Sequence, residues 1–105
     1  MTQYAIVYIG GDQPSSPEEG KAHFGKYMEW LKSLGEAAVS PANPLKDTRT
    51  VSPNGDITDG SSSGMSGYTI VEADSIEAAV DMARSCPFLD INGSLEVSEL
   101  IKMPM

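Results

Sequence analysis

The chain has 105 residues, with 15 acidic against 7 basic side chains and a formal net charge of −8. That length suits one domain over residues 1–105, and the charge repels both a nucleic acid backbone and an anionic membrane surface. The lone Cys86 excludes an intrachain disulfide and fits a reducing cytoplasm.

The first apolar run, Tyr4–Ile9, is β-rich and shows no alternation of polarity, as for a strand covered on both faces. It is also too short for a signal core or a spanning helix. Ser16–Gly35 carries the clearest helical pattern. Ser16 can cap it, Pro17 fits its first position, Glu19 completes an S-x-x-E capping box, and Gly35 can terminate it. At 100° per residue, Trp30, His23, Leu34, Tyr27, Leu31, Phe24 and Met28 fall on one arc, so the single histidine points with the apolar stripe.

Glu36–Ser40 reads as a short strand, and Pro41 and Pro44 make the next segment an edge, a bulge or an extended loop. Thr48–Ser52 and Asp56–Thr58 flank Pro53-Asn54-Gly55, a hairpin signal because Asn-Gly tolerates positive φ. Asp59–Gly67 is Ser/Gly-rich, without hydrophobic period, and reads as a flexible loop able to act as a lid. In the strand Gly67–Ala73, Tyr68 and Ile70 share one face while Thr69, Val71 and Ala73 share the other. A second helix starts with Asp74 as cap, with Glu77 completing D-x-x-E, carries Ile76, Ala79, Val80 and Ala83 on one face, and Pro87 ends it. Phe88–Gly93 connects to a last strand, Ser94–Lys102.

The order β-α-β, hairpin, β-α-β predicts an α+β fold, a ferredoxin-like sheet with two helices on one face. With no third helix to cover the other face, a second copy packed sheet to sheet is the expected partner, giving a homodimer.

The segment GYTIVEADSIEAAVDMARSCPFLDINGSLEVSEL (Gly67–Leu100) resembles the second half of YCII-related proteins. The first half is similar too, in its Tyr-rich opening strand, its histidine-bearing helix AHFGKYMEWLKSLG and its later Thr58-Asp59-Gly60. The resemblance implies a dimeric α+β barrel with a cleft centred on His23. It also implies an acid near the end of the first helix, where this chain instead reads Lys32-Ser33-Leu34-Gly35-Glu36. DGPF-type relatives continue Asp-Gly with Pro-Phe, whereas this chain has Ser61-Ser62 there.

His23 is the candidate general base or acid, because a histidine can hold and release a proton near neutral pH; the structural alternative is packing at the edge of the helix–sheet core. Asp59 is a candidate orienting acid or a turn residue. Arg49 can hold a substrate carboxylate or stand exposed on its strand. Tyr8, Tyr27 and Tyr68 can line a pocket for a ring-shaped ligand or serve the core and dimer interface. Cys86, at the negative end of a helix, reads as structural. One histidine and one cysteine without clustered carboxylates make no zinc or iron site, and no phosphate or dinucleotide motif is present, so neither metal nor cofactor is expected. Two functions fit: a small cofactor-independent enzyme of isomerase, lyase or dehalogenase type, or a non-catalytic dimeric ligand-binding or accessory protein.

Overall fold

The computed structural model describes residues 1–102. Four strands, β1 (Thr2–Gly10), β2 (Ala38–Pro44), β5 (Met65–Ala73) and β6 (Gly93–Glu99), form an antiparallel sheet in the order β2-β5-β1-β6. Helix α1 (Pro17–Leu34) links β1 to β2, and α2 (Ile76–Arg84) links β5 to β6. Each crossover skips one strand, which is the split β-α-β arrangement of the ferredoxin-like fold. Between β2 and β5 the chain leaves the sheet as a separate hairpin, β3 (Arg49–Val51) with β4 (Ile57–Asp59).

The core lies between the sheet and the helices. Tyr4, Ile6 and Tyr8 of β1 and Thr69, Val71 and Ala73 of β5 point to that side, against Trp30 and Leu31 of α1 and Ala79 and Ala83 of α2. Strand alternation does the sorting, since every second side chain faces the helices. Leu95 and Val97 of β6 pack against the same cluster. The helices are joined by one polar contact. The Trp30 indole N–H donates to the Met82 carbonyl at 2.9 Å, in the last turn of α2, where carbonyls lack an intrahelical donor.

The arc read on α1 is wider than the face it buries. Trp30 and Leu31 are buried and His23, Tyr27 and Leu34 are half-buried, while Phe24 stands 62% exposed at the rim. Gly35 takes a φ of +57° and ends the helix, after which a 3-10 turn occupies Gly35–Ala37 and β2 runs through both prolines. This strand is an edge, and its pairing with β5 is shifted twice. The loop expected over residues 59–67 shrinks to Gly60–Gly64, because Asp59 pairs with Arg49 in the hairpin and Met65 already pairs with Ile9. The Ser61 and Ser63 hydroxyls accept from the Gly64 and Met65 amides and set that turn. The last strand ends at Glu99, short of Lys102.

The cap of α2 is Ser75, not Asp74: the Ser75 hydroxyl accepts from the Ala78 amide at 3.1 Å, and Asp74 precedes it, exposed. Both residue types cap well, and the frame of the helix decides between them. Ser75→Ala is therefore expected to lower stability by about 1 kcal/mol, whereas Asp74→Ala changes it little. Urea denaturation of the two variants against the parent checks the difference.

Candidate functional site

Beyond the C-terminal end of β1, four parts of the chain converge: Tyr8, the first turns of α1, the outer half of β2, and the 3-10 turn Pro87–Ile91. They enclose a cleft of about 380 Å³ whose wall is mostly apolar. Phe24, Pro44, Phe88 and Ile91 supply that character, while His23 and Tyr27, one helical turn apart on α1, face into it. The size and lining are those of a small-molecule site.

The far wall is fixed by a close approach. A β-carbon at Gly93 would overlap the Phe88 ring and lie 2.8 Å from the Phe88 carbonyl, and one at Gly11 would lie 2.8 Å from the same ring. Phe88 is thus seated between two glycines, with its ring 5.2 Å from that of Tyr8. The Asp12 amide donates to the Ile91 carbonyl at 2.7 Å, and the Asn92 amide side chain donates to the Asp12 carboxylate at 2.5 Å. These contacts tie the loop before α1 to the turn that carries Phe88.

At the base of the cleft a line of hydroxyls crosses the molecule. Tyr27 and Tyr8 share a hydrogen bond of 2.7 Å, Tyr8 is hydrogen-bonded to Thr69, and the Thr69 hydroxyl donates to the Pro41 carbonyl at 2.6 Å. Thr69 is fully buried, and among the described residues no buried side-chain nitrogen or oxygen lacks a partner. Burial pushes the Tyr8 phenol well above its ordinary value; the Thr69 hydroxyl opposes this and Tyr27 adds to it. Tyr8 is therefore a neutral phenol at neutral pH. Burial likewise pushes the Cys86 thiol up to about 11, so this cysteine is an unreactive core residue at neutral pH.

The structure brings His23, Tyr8 and Tyr27 to one cleft. Tyr68 lies on the opposite face of the sheet, because it alternates with the inward Thr69. Arg49 and Asp59 sit opposite each other in the β3–β4 hairpin and form an ion pair of 3.1 Å, both largely exposed, away from the cleft lining. Such a pair contributes about 0–1 kcal/mol. Among the described residues no side-chain hydrogen bond or carboxylate ion pair engages the His23 imidazole, and no three His, Cys, Asp or Glu side chains gather as a metal site.

Residues that sequence reasoning passed over also line the cleft. Asp12 and Glu19 are its acids. Glu19 accepts from the Ser15 hydroxyl, and Asp12 is held by Asn92. The spacing Glu19-x-x-x-His23 could have placed that acid beside the histidine on one helix face. Phe88 and Thr69 carried no such signal, since their roles depend on partners from distant parts of the chain.

A family model for the YCII-related domain matches residues 3–104. The fold is similar to that of 5-chloro-2-hydroxyhydroquinone dehydrochlorinase (TftG) from Burkholderia phenoliruptrix AC1100, solved in complex with 2,5-dihydroxybenzoquinone. The TM-score is 0.56 at 18% identity, over 94% of this chain and 93% of that one. No curated protein matches the sequence.

Gly93→Ala is expected to drive the Phe88 ring out of its seat and into the cleft. The overpacking should cost about 1–3 kcal/mol, and Phe88→Leu in the same chain should recover part of it. Thermal denaturation of the single and double variants measures both effects.

Proposed function

The chain belongs to the YCII-related domain family, and on that premise we propose that the cleft binds a small ring-shaped molecule on which His23 moves a proton. The observation that carries this reading is the placement of a half-buried histidine, its imidazole ring held by no protein hydrogen bond among the described residues, in an apolar cleft beside a hydrogen-bonded tyrosine pair. An imidazole in that position is free to take a proton from a bound ligand and to return it. The reaction class is isomerisation, elimination or dehalogenation without a cofactor. The name of the similar structure supports it, since dehydrochlorination removes a proton and a chloride.

Arg49 and Asp59 have a smaller part in this reading than their residue types invite. Each is the other's partner on the hairpin, and the cleft offers Asp12 and Glu19 as its nearer acids. The second reading, a non-catalytic ligand-binding or accessory protein, is favoured by the lack of a carboxylate bonded to His23 among the described residues. The two separate on proton exchange. With 1,2,4-trihydroxybenzene as probe in heavy water under argon, a catalyst should accelerate exchange of ring hydrogens, and His23→Gln should slow it about 100-fold. Equal binding of the probe to both proteins, with no accelerated exchange in either, selects the non-catalytic reading.

A homodimer is part of the same proposal. Ala5, Val7 and Ile9 of β1 and Tyr68 and Ile70 of β5 face away from the helices and are half-buried in the single chain. The molecule is 18 Å thick along its shortest axis, about two layers, since a helix alone is about 10 Å across. The open sheet face is apolar along its centre and bordered by Glu72 and Glu96. Two such faces fit together around a two-fold axis. Sedimentation at tens of micromolar, a concentration at which stable dimers persist, should give twice the chain mass, and Val7→Glu should give the monomer. A monomeric parent protein would sink the pairing.

A further inference from the structure

We infer that Tyr27 serves the cleft as a hydrogen-bond acceptor and not as a donor, so that the site selects ligands carrying a hydroxyl over those carrying only ether oxygen. The inference rests on the cleft being a ligand site and adds the chemistry by which it chooses. It comes from counting protons along the buried hydroxyl line. The Thr69 hydroxyl and the Pro41 carbonyl lie 2.6 Å apart. A carbonyl has no proton to give, so the threonine's single proton lies between them. Thr69 must then accept from Tyr8, to which it is hydrogen-bonded. The phenol of Tyr8 stays neutral and has one proton, which this contact uses. The 2.7 Å contact between Tyr8 and Tyr27 therefore takes its proton from Tyr27.

Every proton in the line points inward, and its outer end is the Tyr27 oxygen, on a half-buried residue that lines the cleft. That oxygen has no proton left for a ligand. Each donated hydrogen bond also makes the donating oxygen a better acceptor, so the line strengthens Tyr27 in this role. A ligand hydroxyl meets it with a matching proton, whereas an ether oxygen meets it lone pair to lone pair. A site built to bond a hydroxyl discriminates against the analogue that lacks the proton. With His23 one turn away on the same helix face, the favoured ligand is a compact ring bearing a phenolic or enolic O–H.

The probes are 4-methylphenol and its methyl ether, 4-methylanisole, titrated by NMR into the full chain and three variants. The parent is expected to favour the phenol over the ether by about tenfold more than Tyr27→Phe does, the discrimination of one ordinary hydrogen bond. Thr69→Ser, which keeps the hydroxyl, should retain that preference. Thr69→Val, nearly the same shape, removes the acceptor for Tyr8; the Tyr8 proton then turns to Tyr27, the Tyr27 proton turns into the cleft, and the preference is lost or reversed. A purely structural role for Thr69 would weaken both probes alike. Without ligand, the Tyr8 hydroxyl proton should show stronger nuclear Overhauser contacts to Thr69 than to the Tyr27 ring. Stronger contacts to Tyr27 instead, or equal phenol-to-ether ratios in the parent and Tyr27→Phe with both probes bound, overturn the inference while leaving the cleft as a ligand site. Failure of both probes to bind at millimolar concentration overturns the cleft reading and the selectivity with it.

Discussion

Thr69 is where the constraints of this fold meet. It is fully buried, it is polar, and its hydroxyl must be satisfied from within the protein. An unpartnered group there would cost about 1–3 kcal/mol. The solution joins four elements, because Tyr27 belongs to α1, Tyr8 to β1, Thr69 to β5 and Pro41 to β2. The edge strand β2 depends on it more than the others, since two prolines and two register shifts weaken its ladder to β5. A side-chain hydrogen bond to the Pro41 carbonyl fixes that strand where backbone pairing is interrupted. The cleft is the space left between this anchored strand, the start of α1 and the turn carrying Phe88.

The positions of the polar groups arise from the same arrangement. His23 and Tyr27 reach the cleft because they share a helix face, and Tyr8 reaches it because strand alternation sends Tyr4, Ile6 and Tyr8 to the helix side. Alternation also sends Tyr68 to the opposite face. The hairpin draws Arg49 and Asp59 out of the sheet and pairs them with each other. The radius of gyration is 15.1 Å, above the roughly 13 Å usual for a compact chain of about this length.

What could be read from the sequence was local. The first helix, its Ser16 cap and its Gly35 stop are written in adjacent residues, and the structure places them there. The order of elements gave the α+β sheet, because the split crossover arises from two helices returning to one antiparallel sheet. Errors arose where two local choices were equally good, as at Asp74 and Ser75, or where pairing overrode composition, as at Asp59 and Met65. The site was legible only on the helix and the first strand. Phe88 is defined by Gly11 and Gly93, and Thr69 by Tyr8 and Pro41. No period or motif announces such partners across the chain.

The prolines of β2 have a consequence for crowding. An exposed strand edge is a template on which further chains can add, and proteins that present one risk uncontrolled polymerisation. Here the outer edge of β2 lacks backbone donors at Pro41 and Pro44, and its shifts break the straight line that an incoming strand would need. The opposite edge strand, β6, carries Glu96 and Glu99, in a chain whose net charge of −8 already repels its copies. The proposed pairing through the broad face of the sheet would leave both of these edges unsuited to further strands.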